Sequence, residues 1–325
     1  MEKPVGSIAK NILLIICGVL AGLIIAECLL RLGDPYRTFG AGREWDTIRK
    51  SNYDLSKTYK IDPELGFMPI LGNGLSGYTK YGTIQNNYSI EKRPGVTRLL
   101  FIGDSVTCRG RIVDALRQVY GDKKFEYWNA GVESWATAQE VNFYKKYNWQ
   151  IKPDHVILTF HNNDFETTPV AFFNAKKQLV VYAPNEPARK LNPWLFKNSY
   201  IYRLIIGLTL SDKRKNEAMT GEIKERLREL RDILNRDHIA LTVLIHPVLK
   251  PFREWSREEK YSRNKSIEIM KELGIRYFDL ADVSEEAIRD KVHVRETNGD
   301  ILHPSEELSV LFAKYLFEKG LLKAR

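Results

Sequence analysis

The chain has 325 residues, 43% apolar and 11% aromatic, enough to bury one large core and too apolar for a disordered chain. Its formal charge of +9 is spread among interleaved acids, with short clusters such as Lys213-Arg214-Lys215 and no recognition motif, so nucleic-acid binding is not expected. Of the three cysteines, Cys17 and Cys28 fall in the first apolar run and Cys108 stands alone in the remainder, which excludes a disulfide framework there and a cysteine-based zinc site.

The run from Ile12 to Leu30 gives 19 positions broken only by Glu27 and small residues, against the roughly 20 that a helix needs to cross hydrocarbon. It predicts one N-terminal transmembrane helix within residues 1–33. No small-x-small cleavage site follows, and Glu27 before Cys28 spoils a lipoprotein-type cysteine, so the expectation is an uncleaved, single-pass anchor. Lys3 and Lys10 precede the span and Arg31, Arg37 and Arg43 follow it, so the inside-positive rule, read literally, places the C-terminal part in the cytoplasm.

Residues 34–95 carry several prolines and glycines with little periodicity, predicting an irregular or β-rich juxtamembrane extension. Gly72-Asn-Gly74-Leu-Ser-Gly77 fits a dinucleotide-binding spacing, but Pro69 interrupts the strand that should precede it and no amphipathic helix follows. A loop is expected.

From residue 96 to 325 short apolar runs alternate with helical periods, the mark of parallel strands with crossover helices. Strands are predicted at 98–102, 125–129, 155–160, 240–245 and 275–279. Ile223, Leu227, Leu230 and Leu234 recur at helical spacing, Ser256 and Glu259 suit a capping box, and Gly121 and Gly274 stand where C-terminal caps belong. The fold class expected is α/β: a three-layer α/β/α sandwich around a five-stranded parallel, flavodoxin-like sheet. Residues 165–220 form a proline-containing insertion with Phe172, Phe173, Trp194 and Phe196, readable either as a lid or as a packing appendage.

In such a sheet the binding crevice lies beyond the carboxyl ends of the strands, where strand order reverses. Polar residues collect there: Gly103-Asp104-Ser105-Val106-Thr107 after the first strand, Asn129-Ala130-Gly131 after the second, His161-Asn162-Asn163-Asp164 after the third, and Asp300-Ile-Leu-His303-Pro304 before the last helix. A serine hydroxyl needs a base within hydrogen-bond reach and a third group to fix the base's tautomer. Ser105, His303 and Asp300 supply these, and Pro304 is placed to begin the following helix. The oxyanion donors expected are the Ser105 and Gly131 backbone amides, Gly131 letting substrate come close, together with the Asn163 side chain. Asp104 reads as structural. His155, His238, His246 and His293 lack a partner pattern, although His246 ends the fourth strand and borders the rim. With no H-E-x-x-H, P-loop or cysteine cluster, neither a metal nor a cofactor is expected.

These four blocks, in this order over residues 96–325, resemble the SGNH (GDSL-type) serine hydrolases. The resemblance implies that Ser105 is the nucleophile, that Gly131 and Asn163 complete the oxyanion hole, and that Asp300 and His303 complete the triad. Upstream, Ala26-Glu-Cys-Leu-Leu-Arg31, Asp62-Pro-Glu-Leu-Gly-Phe67 and Asn129-Ala-Gly-Val132 resemble a membrane-anchored bacterial branch associated with surface polysaccharide. That branch implies an extracytoplasmic catalytic domain, against the charge count, and polysaccharide-biosynthesis partners. One residue departs from the family pattern: His161 stands where the third block has glycine, readable as a second base or as an ordinary pocket-wall histidine, and His161 and Asn162 are candidate substrate-binding residues. The expected activity is ester hydrolysis on an acylated glycan or small ester. An O-acyltransferase using the same triad and a non-catalytic glycan-binding or assembly protein are the other readings.

Overall fold

A computed structural model describes residues 5–33, 55–166, 168–173, 179–182, 192–208 and 212–322. In chain order, helix α1 (Val5–Gly33) is followed by an antiparallel hairpin of β1 (Tyr59–Asp62) and β2 (Gly66–Pro69). Then come β3 (Thr97–Ile102), the single turn α2 (Ser105–Cys108), α3 (Arg111–Tyr120), β4 (Phe125–Asn129), α4 (Thr137–Lys146) and β5 (His155–Phe160). The hairpin β6 (Val170–Phe173) and β7 (Leu179–Tyr182) leads to α5 (Pro193–Asn198), α6 (Tyr200–Leu208) and α7 (Asp212–Arg236). The chain ends with β8 (Ala240–Ile245), α8 (Arg257–Leu273), β9 (Arg276–Asp279), α9 (Ala281–Arg289) and α10 (Glu306–Glu318).

The five-stranded sheet runs β4-β3-β5-β8-β9, every neighbouring pair parallel. Counted within the sheet this is the flavodoxin-like order 2-1-3-4-5, as expected. Side chains alternate between two cores because successive residues of a strand face opposite ways. Leu100 and Ile102 of β3 meet α4, α7 and α8 through Val141, Leu227 and Met270, whereas Leu99 and Phe101 meet α3 and α10 through Leu116 and Phe312. The central strand β5 is buried along its whole length, which explains its nearly continuous apolar run.

Arg98, at the start of β3, is wholly buried and pairs with Glu126 of β4 at 2.7 Å. Its guanidinium also donates to the carbonyls of Ser89, Ile90 and Ile151, tying the segment before the sheet to the sheet edge. Burial alone would raise the Glu126 carboxyl, but Arg98, Trp128 and Arg93 hold it below the usual range. Losing one partner would strand a buried charge, at a cost of about 3–5 kcal/mol.

Of the expected extension 34–95, residues 34–54 lie outside the described residues; the rest is the β1–β2 hairpin followed by turns. Gly72, Gly74 and Gly77 all adopt positive φ in a loop, so the dinucleotide-like spacing is indeed a turn sequence. Phe67 and Met68 of β2, with Trp135 and Phe143, form a third core against which Ala171, Phe173 and Leu179 of the insertion hairpin pack. Phe172 and Phe173 are half-buried, while Trp194 is 69% exposed. Pro184 and Pro187, and the Phe196 side chain, lie outside what is described. Helix α10 starts at Glu306, not at Pro304: the Ser305 hydroxyl accepts from the Leu308 amide at 3.0 Å, the better cap because proline offers no such acceptor.

Candidate active site

The strand order reverses between β3 and β5, and the turn after each enters one crevice. After β3, Gly103 must lack a side chain, since a Cβ there would lie 2.2 Å from Thr107 Oγ1. Asp104 then caps α2, its Oδ1 accepting from the Val106 amide at 2.9 Å. Asp104 is therefore the cap, as its structural reading implied, and Ser105 is the first residue of the turn.

Ser105 Oγ lies 2.8 Å from His303 Nε2, although the two residues are 198 positions apart. His303 Nδ1 lies 2.7 Å from Asp300 Oδ2, while Asp300 Oδ1 accepts the Leu302 and His303 amides at 2.9 and 3.0 Å. Partial burial acts to raise the Asp300 carboxyl, but those two amides and the imidazole together hold it below the usual range. An ionised Asp300 fixes the proton on Nδ1, leaving the Nε2 lone pair for the serine. Ser105 and His303 are both buried, 9% and 8% exposed.

The oxyanion side is arranged differently. Among the described residues the Ser105 amide carries no hydrogen bond. The Gly131 amide donates to Asn129 Oδ1 at 2.9 Å, and the Asn163 Nδ2 donates to Asp104 Oδ2 at 2.7 Å and to the Trp135 carbonyl at 3.3 Å. Two of the three expected donors are thus engaged by the protein itself. The reason given above for Gly131 also changes: a Cβ there would stand 2.3 Å from the Cys108 amide nitrogen, so glycine is required for close approach to α2 rather than to substrate. Tyr78 donates to the Gly131 carbonyl at 2.6 Å and holds that turn from below.

His161 and Asn162 lie beside the end of β8. The His161 ring is buried 5.4 Å from the His246 ring, its Nδ1 3.1 Å from the His246 carbonyl. Both residues border a small cavity with His246, Pro247 and Trp255. The wall reading of His161 fits this placement. Behind the same turn, burial pushes the carboxyls of Glu140 and Asp164 well above the usual range; Asp164 still accepts from Thr137 Oγ1 at 3.0 Å and from the His161 amide.

Sequence reasoning missed several residues around the crevice. Arg109, one turn after Ser105, contacts Glu296, lies 3.7 Å from Asp300 and 3.6 Å from Glu133. Burial pushes the Glu133 carboxyl up despite that arginine. His246 places Nε2 2.8 Å from the Leu302 carbonyl, directly beneath the Asp300–His303 turn. Burial foremost, then the adjoining His161 ring, lower its pKa to about 3, so it stays neutral and donates through Nε2. Its position at the end of β8 was the one available signal. Cys108, beside Tyr78, is pushed up to about 11, first by burial, and remains a thiol near neutral pH.

Glu296, Asp300 and His303 offer ligand atoms within 4.8 Å of one another. Glu296, however, also pairs with Arg109 and Arg111, and a cation would have to compete with both guanidinium groups and with the Asp300–His303 bond.

Four separated segments converge here. The blocks that carry the SGNH resemblance all border this one crevice. No family model and no curated protein matches the chain. Solved structures similar to it include an α/β hydrolase enzyme from the metagenome of Lake Arreo, Spain, at 14% identity and TM-score 0.46, covering 70% of this chain and 97% of that one. An acetylxylan esterase from Geobacillus stearothermophilus is 16% identical, with TM-score 0.46, over 72% of this chain and all (100%) of that one. A member of the lipolytic protein G-D-S-L family from Veillonella parvula is 12% identical, with TM-score 0.43, over 70% and 100% of the two chains.

Proposed function

We propose that the chain is a membrane-anchored serine ester hydrolase of the SGNH kind, removing acyl groups, O-acetyl foremost, from a surface glycan. The observation that carries this reading is the Asp300–His303–Ser105 relay, with both hydrogen bonds within 2.8 Å. Ser105 Oγ attacks the ester carbonyl while its proton passes to His303 Nε2; collapse of the tetrahedral intermediate expels the sugar oxygen, which takes that proton to become a hydroxyl. Water then attacks the acyl-enzyme, His303 accepting one of its protons and returning it to Ser105 as the carboxylic acid leaves and gives its remaining proton to solvent.

The negative oxygen formed at each step draws first on the free Ser105 amide. Asn163 joins by exchanging its longer bond, 3.3 Å to the Trp135 carbonyl, for the substrate oxygen, while its 2.7 Å bond to Asp104 keeps the amide oriented. The Gly131 amide joins when Asn129 releases it. An acylated glycan is the substrate class that the sequence resemblance favours.

Anchoring rests on α1, whose stretch Ala9–Leu32 is long and apolar enough to cross a membrane. Its last turns are bonded to the rest of the fold through Glu27 and Arg31, which supports retention of the helix rather than cleavage. The catalytic part is placed outside the cytoplasm on the same resemblance. Comparing wild type with Ser105→Ala on p-nitrophenyl acetate and on acetylated polysaccharide tests the activity. Acetate release by wild type, reduced about 10⁶-fold in the variant, is expected; equal rates would remove Ser105 from the mechanism. Acyl transfer to added glycan with no acetate release would assign the same triad to a transferase.

A further inference from the structure

Glu27 is the one ionisable carboxylate in the apolar run Ile12–Leu30 of α1, and intramembrane ionisable groups ordinarily face a protein partner. Here the partner is the insertion. The Glu27 carboxylate accepts from the Tyr200 amide at 2.8 Å, the Ile201 amide at 3.0 Å and Ser199 Oγ at 3.1 Å, satisfying the first amides of α6. Arg31, one turn on, donates to the Asn198 carbonyl and stands 5.3 Å above the Tyr200 ring. Ala26, Glu27 and Leu30 are half-covered by this contact, while Ile24, Ile25 and Leu29 on the other faces remain about as exposed as the rest of the span.

Helix α6 reads Tyr-Ile-Tyr-Arg-Leu-Ile-Ile-Gly-Leu, and the docking leaves part of its apolar side chains uncovered. Ile205 is 52% exposed and Trp194, on the adjoining α5, 69%. Nine residues span about 13 Å as a helix, far short of the ~30 Å hydrocarbon layer, so α6 cannot cross a bilayer. It sits against the last two turns of α1, the level at which a span leaves the hydrocarbon and where tryptophan and tyrosine are favoured.

We propose that α5 and α6 form an interfacial foot, seated in the headgroup and upper acyl layer of the phospholipid bilayer beside α1 and locked to it by Glu27. This rests on α1 being a membrane span. Lipid is the occupant because Ile205 and Trp194 expose apolar side chains on helices docked against a span that is itself bare, so a bilayer around α1 would lie beside them. The foot also connects to the crevice: α5 packs beside β6, and β6 beside β2. Phe67 of β2 stands edge-on to Trp135 at 6.3 Å, and the Trp135 carbonyl holds Asn163. The foot thereby fixes the crevice at a set height from the membrane surface.

The test uses the full chain reconstituted in phosphatidylcholine vesicles, with the photo-crosslinker benzoylphenylalanine placed singly at positions 23, 194, 205 and 261. Position 23 reports the span, and Tyr261, 50% exposed on α8, the catalytic core. Lipid adducts at 194 and 205 are expected roughly tenfold above those at 261 and of the same order as those at 23. Adducts at 23 with only background at 194 and 205 would overturn the foot while leaving the span intact; background at all four positions would overturn the span itself. Glu27→Ala should bring the adduct at 205 down to background while the adduct at 23 and hydrolysis of a soluble ester persist. Unchanged labelling at 205 in that variant would overturn the lock.

Discussion

The two sides of Ser105 differ in how far they are assembled. On the base side, His303 and Asp300 already hold the hydroxyl through bonds of 2.8 and 2.7 Å, and the turn carrying them is braced by its own amides and by His246. On the oxyanion side, Gly131 and Asn163 spend their donors on Asn129, Asp104 and Trp135. Proton transfer depends on a fixed tautomer, which requires permanent partners. Donors for a charge that exists only transiently would cost free energy if left buried and unpaired between turnovers, on the order of 1–3 kcal/mol each. In the proposed mechanism, internal acceptors that substrate displaces avoid that cost, at the expense of some preorganisation.

After the loss in Ser105→Ala, the largest effect expected is on the oxyanion side. Asn163→Ala should lower kcat by about 10²–10³-fold with little change in KM, because the amide is recruited as charge develops. Steady-state kinetics on p-nitrophenyl acetate would check it, and an effect confined to KM would show that Asn163 binds ground-state substrate instead. The base side gives a smaller effect, read as stability. His246 has a folded pKa of about 3 against 6.5 for the ordinary group. The unfolded chain therefore takes up a proton that the folded chain refuses, so this residue's contribution is fully present above about pH 6.5 and declines as pH falls towards 3. In denaturant titrations across that window, His246→Gln should flatten the acid loss of stability. An unchanged slope would mean that the ring does not remain neutral beneath the 300–303 turn.

The sheet was legible because β5 and most of β8 are buried and so read as nearly continuous apolar runs, and because the loops that matter follow those runs directly. The Ser105, Asp300 and His303 geometry followed from residue chemistry at strand ends and before a helix. What stayed hidden depends on partners distant in sequence. Nothing local to Arg109 announces that Glu133, Glu296 and Asp300 will surround it, and His246 acquires its role only when β8 ends beneath the 300–303 turn. Gly131 could be picked out but not explained, since the backbone that a Cβ would strike belongs to residues 107 and 108. Glu27 looked like a blemish in an apolar run until Tyr200 and Ile201, more than 170 positions later, supplied its donors.

That Ser105 is the nucleophile is read most directly from the site of reaction with a fluorophosphonate, located by peptide mass spectrometry on the full chain. One adduct is expected, on the peptide bearing Ser105, formed by wild type and lost in His303→Ala. An adduct on another residue, or none on wild type that is folded, would contradict it.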